Sequence, residues 1–279
     1  MKKINILVLL LIFTLILSIT GIVNAAPAMP GVGKGPPNLE KVTFVHHAKD
    51  FPAGNPHGTP PGQDGNKPGG GNKDSEKLWY KYSGLHWGST PTWYLNDGSA
   101  DYYNAINSSF LTWLSVSSTF DIGYSGTTPS SPNDEVWDAA LGRYTPDKKN
   151  VVGLLDLGNN DAIAVTYMWY NTFTKELVDV DTTLNSNSAY QWWQISLGSS
   201  DDPDTAAWPY IKDANPPYDV DVQNIMTHEA GHWLILNDLY NKPANTQTMY
   251  GISAQFELKK RSLEGGDEAG ILAIYPTNP

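Results

Sequence analysis

Asp221-Val222-Gln223-Asn224-Ile225-Met226-Thr227-His228-Glu229-Ala230-Gly231-His232-Trp233-Leu234-Ile235-Leu236-Asn237-Asp238 is the stretch from which the rest of the chain is read. Val222, Ile225 and Met226 recur at helical spacing, and Asp221 is placed to cap the helix they begin. His228 and His232 are four residues apart, so on that helix both imidazoles lie on one face, one turn apart. Two neutral imidazoles so placed can bind one zinc ion at about 2.0–2.1 Å each. Glu229 adjoins His228 and can reach a water in the same site, which makes it the candidate general base. Asp238, six residues after His232, offers an oxygen as third ligand. The fourth position then stays open, as a catalytic zinc requires.

Composition bounds the rest. The 279 residues carry a formal net charge of −11, which makes a nucleic-acid partner a poor expectation. Ten Trp and fifteen Tyr can build a sizeable core. There is no cysteine, so neither a disulfide nor a zinc-capping thiolate is available.

Taken in order, residues 1–25 read as a secretory signal: Lys2 and Lys3, an apolar run from Ile4 to Ile19, then Val23-Asn24-Ala25 as cleavage site. The length of the apolar run makes an uncleaved anchor the rival. Residues 26–76 read as a Pro/Gly-rich pro-segment or linker, dense in Gly, Pro, Asn and Lys, with one β-like run at Val42 to His47. The expectation is a tethered tail. The alternative is a pro-segment that brings His46 or His47 to the open metal position. His57 and His86 have no partner at ligand spacing.

The folded domain is expected over 77–279. Strands are predicted at Pro91–Leu95, Phe120–Tyr124, Asn150–Leu157, Ala162–Tyr170 and, partly solvent-facing, Leu177–Asp181. Ile106, Phe110, Trp113 and Leu114 predict a helix within 101–120, and 262–275 a last one with Ala269, Leu272, Ala273 and Ile274 inward. Asp156, Asp161, Asp179 and Asp181 read as solvated turn carboxylates, with a structural Ca²⁺ site as the alternative.

With Met249-Tyr250 and Asp267-Glu268-Ala269-Gly270-Ile271 following the histidine motif, residues 77–279 resemble a metzincin zinc peptidase, most like the secreted prokaryotic matrixin-type members. The resemblance implies an α+β zincin fold: a twisted, mostly parallel five-stranded sheet, an active-site helix and a small C-terminal helical subdomain. It implies His228, His232 and Asp238 as zinc ligands, Glu229 as the catalytic base, and Met249 in a tight turn beneath the metal rather than on it. The implied activity is hydrolysis of a protein or peptide substrate by a secreted, monomeric endopeptidase that is not inserted in a membrane after signal cleavage.

Two departures stand out. The family has Gly three residues after the second His, where the helix turns; here it is Ile235. On a continuous helix Asp238 would point about 100° away from the histidines. The chain must break, and Asn237 suits a positive φ better than Ile235, so a later break is expected. Glu264 and Glu268 are the rival third ligands, on the gluzincin plan. The second departure is the missing cysteine of the animal matrixin pro-segment. A competing class is a secreted surface-binding protein with a vestigial zinc site.

Overall fold

The computed structural model describes residues 38–51, 79–116, 119–195 and 217–276. The signal reading of residues 1–25, most of the linker and His57 lie outside them. The strands are β1 (Leu39–Ala48), β2 (His86–Trp87), β3 (Thr92–Asn96), β4 (Gly123–Thr128), β5 (Glu135–Asp138), β6 (Arg143–Pro146), β7 (Val151–Leu155), β8 (Ala162–Asn171), β9 (Glu176–Asn185), β10 (Tyr190–Trp193), β11 (Tyr218–Asp221) and β12 (Ile252–Ser253). The helices are α1 (Tyr103–Leu114), α2 (Val222–Trp233) and α3 (Gly265–Ile274).

The class is α+β, with a mixed, mostly parallel sheet. Its size corrects the expectation of five strands: it has eight, in the order β12-β1-β8-β9-β7-β3-β4, with β2 beside β9. β4, β3, β7 and β9 run parallel, and β8 is antiparallel to β9. The larger correction concerns the β-like run within residues 26–76. Far from a tethered tail, β1 pairs antiparallel with β8 from Leu39↔Asn171 to His47↔Ala162, and parallel with β12 at His47↔Ile252. The sheet thus includes residues well before 77.

Local signals explain the helices. Asp221 caps α2, its Oδ1 accepting from the Asn224 N–H at 2.8 Å. The same carboxylate takes Arg261 Nε at 2.7 Å and Nη2 at 2.5 Å, so one residue fixes both the start of α2 and the segment before α3. α1 lies on α2: Trp113 Nε1 donates to the Thr227 carbonyl at 2.7 Å, and the Phe110 and Trp233 rings meet edge-on at 5.3 Å. Trp93 of β3 packs on Phe110 at 5.1 Å, which ties this helix pair to the sheet. In α3, Gly270 and Ile271 are buried while Leu272 and Ala273, expected inside, are exposed.

β9 is buried along most of its length rather than partly solvent-facing. Three of the four aspartates read as solvated are also buried: Asp161, Asp179 and Asp181; Asp156 is exposed. Asp181 accepts from the N–H groups of Val151 and Asn133, each at 2.7 Å, and Asp179 from that of Lys148 at 2.7 Å. They serve as internal acceptors for loop backbone. Among the described residues the four do not gather at one point as a calcium site needs. No helix of the described residues is long and apolar enough to cross a membrane.

Candidate metal centre

α2 delivers His228, Glu229 and His232 into the core, each with no exposed surface. His228 Nδ1–H donates to the Thr248 carbonyl at 2.7 Å, and His232 Nδ1–H to the Leu236 carbonyl at 2.8 Å. Each bond fixes the tautomer and leaves Nε2 with a free lone pair, the arrangement a metal-ligating histidine needs.

The helix ends where the resemblance placed the break, not later. Ile235 stands at φ 65°, and Leu234 is the cap. Ile235 N–H bonds the His232 carbonyl at 2.7 Å and Leu236 N–H the Gly231 carbonyl at 3.0 Å, which closes a Schellman motif. The turn is then held from outside: Asn237 N–H donates to the Lys81 carbonyl at 2.7 Å and Ser83 N–H to that of Ile235 at 2.9 Å. The reversal swings Asp238 back onto the histidines. Asp238 Oδ1 lies 3.0 Å from His228 Nε2 and 3.5 Å from His232 Nε2. Ligands about 2.05 Å from one tetrahedral ion stand about 3.3 Å apart. All three atoms are buried without a hydrogen-bond partner. Three orphaned polar atoms aimed at one point are costly unless something there binds them. These residues fit a zinc ion, with a fourth position unassigned. The rival ligands Glu264 and Glu268 are exposed and belong to neither metal-capable cluster. His86 is exposed on β2 and also outside both.

Met249 is buried against α2, where Gly231 permits its close approach, and Gly251 leaves room for Asp238. A Cβ on Gly231 would stand 2.2 Å from Met249 Sδ, and one on Gly251 2.9 Å from Asp238 Oδ1. The turn around Met249 hangs from α3: Asp267 accepts from Thr248 N–H at 2.7 Å and Met249 N–H at 3.1 Å.

The electrostatics follow from burial. It lifts Glu229 to about 7, partly opposed by His232. It pulls His228 down to about 4. Burial also disfavours charged His232, but neighbouring Asp238 outweighs it and the net direction is up. Burial raises Asp238, yet the two rings hold it well below the usual carboxylate range.

The hydrogen-bonding roles of Thr166, Thr182, Trp233 and Lys260 at the site were not legible in the sequence. Thr166 of β8 donates to Glu229 Oε2 at 2.6 Å. Behind it, Trp233 Nε1 donates to Thr182 Oγ1 at 2.9 Å, and the two threonine hydroxyls are 2.7 Å apart. Because Thr166 gives its one hydroxyl hydrogen to Glu229, it accepts from Thr182, and the chain is oriented Trp233, Thr182, Thr166, Glu229. Lys260 is fully buried, its Nζ donating to the carbonyls of Tyr250 at 2.6 Å and Ile252 at 3.0 Å. His46, expected in the tail, joins His228 and Glu229 in a second metal-capable cluster. Its Nδ1 is 3.2 Å from Glu229 Oε1. No family model matches this chain, and no curated protein matches it.

Proposed function

We propose that the chain is a secreted zinc-dependent endopeptidase of metzincin type, with His228, His232 and Asp238 as ligands and Glu229 as general base. One observation carries the reading: three unpartnered buried ligand atoms, of His228, His232 and Asp238, converge beside the buried carboxylate of Glu229. A zinc ion bound there supplies a Lewis acid for the scissile carbonyl and acidifies water.

Glu229 receives the proton of the attacking water at Oε1 and returns it to the leaving amide nitrogen. Thr166, oriented by Thr182 and Trp233, pins Oε2 so that Oε1 is the oxygen left to work. The strand order β4-β3-β7-β9-β8, with antiparallel β8 beside α2, supports the metzincin comparison, as does Met249 under the histidines. Measuring bound zinc together with casein or peptide hydrolysis tests the proposal; a metal-free protein under zinc-replete conditions would reject it. The second reading, a non-enzymatic protein with an idle zinc site, is favoured by one fact only: with β1 in place Glu229 has no contact with solvent.

A further inference from the structure

We propose that β1 is a built-in inhibitory strand, lying in the cleft where an extended peptide substrate binds, with His46 capping the general base. This rests on the peptidase reading above and concerns the regulation of that same site.

The backbone of β1 is gripped on both sides, antiparallel by β8 and parallel by β12, which is how a sheet edge and a facing segment take up an extended peptide. Its side chains alternate, and one set meets the metal centre. The Phe44 ring stacks on His232 at 4.2 Å and 17°, and the His46 ring lies 4.0 Å from that of His228. Between them, the Val45 carbonyl is 3.4 Å from the Tyr240 hydroxyl, which is itself 3.1 Å from Asp238 Oδ2. A peptide group of β1 therefore sits one hydroxyl away from a candidate metal ligand.

His46 distinguishes inhibitor from substrate. Lys260 Nζ reaches its Nε2 at 3.0 Å, and an ammonium only donates, so Nε2 accepts and Nδ1 carries the hydrogen. Ser253 Oγ is 2.9 Å from the same Nε2. Nδ1–H then donates to Glu229 Oε1. With Thr166 on Oε2, each oxygen holds a protein donor, and the burial of Glu229 keeps solvent from what remains. The opposite face of β1 carries anchors: Lys41 pairs with Glu135 at 2.9 Å and lies over the Tyr167 ring at 4.8 Å.

The test uses the full chain. Val45 and Val165 are paired in register and pack together on the face away from the metal centre. Because the chain has no cysteine, Val45→Cys with Val165→Cys gives a single lockable link. Thr43→Cys with Tyr167→Cys serves if the first pair does not fold. A site for a specific protease is placed within 52–76 and the zinc-loaded chain is cut. While oxidised, the cut protein should be inactive and should lose zinc slowly to a chelator. On reduction the fragment carrying β1 should wash away, hydrolysis should rise by about 100-fold, and zinc stripping should accelerate. Added peptide Leu39–Phe51 should inhibit again, and the same peptide with His46→Ala about 10-fold more weakly. A fragment that stays bound after reduction, or leaves without changing hydrolysis or stripping, overturns the proposal. Faster stripping with no hydrolysis in any form keeps β1 as the cover and rejects the peptidase reading instead.

Discussion

Ile235 shows how a single residue can satisfy the core and strain the backbone together. A left-handed β-branched residue costs about 1–2 kcal/mol, but the side chain is almost wholly buried. Ile235→Gly should relieve the backbone yet lose packing worth about 2–5 kcal/mol, for a net loss of about 1–3 kcal/mol in urea unfolding, with zinc retained. This explains why the break was misplaced: propensity argues for Asn237, and only the tertiary contacts at Lys81 and Ser83 decide for Ile235. His228 and His232, by contrast, were legible because helix periodicity alone puts them on one face, whereas Asp238 depends on the break at Ile235. Glu229→Gln should keep stoichiometric zinc while hydrolysis by the released enzyme falls by about 10²–10⁴. Asp238→Ala should weaken zinc binding by more than the 10–100-fold typical of an outer hydrogen-bond partner, read by competition with a chromogenic chelator.

Among the elements, β9 carries a titratable load that its sequence did not reveal. Asp179 and Asp181 face the same side two residues apart, and their burial depends on loops far away in the chain. Burial lifts Asp179 to about 8, with Asp147 adding to it against the Lys148 N–H. An unfolded aspartate titrates near 4, so between about pH 4 and 8 the folded form holds the extra proton. Stability should therefore fall as pH rises through that window. Asp179→Asn should flatten the slope and gain about 1 kcal/mol or more at pH 7.5, measured by urea midpoints at pH 5 and 7.5. β1 escaped for a different reason. The β-like run at Val42 to His47 was visible, but Gly- and Pro-rich neighbours argued for a tail, and its partners lie more than 110 residues onward. Lys260 carries no local signal either, since the three acceptors and the histidine nitrogen around its ammonium are assembled only by the fold.

At the level of the whole molecule, the metal centre joins α2 to the turn that follows it and rests on a third segment through Met249. With no disulfide, a zinc ion would be the main cross-link available. At free zinc about 1,000-fold above Kd it should add about 4 kcal/mol, so chelation should lower the melting midpoint by on the order of 10 °C. The pairing of β1 with β8 carries a consequence for handling the protein. β8 is ten residues long and rich in aromatic and β-branched side chains, and β1 is what covers its outer backbone. Stripped of that partner, its amide and carbonyl rims would lie open as a template for strand-by-strand self-association. Material freed of its first fifty residues would then be short-lived in concentrated solution, clumping unless a bound peptide shields the bare rim.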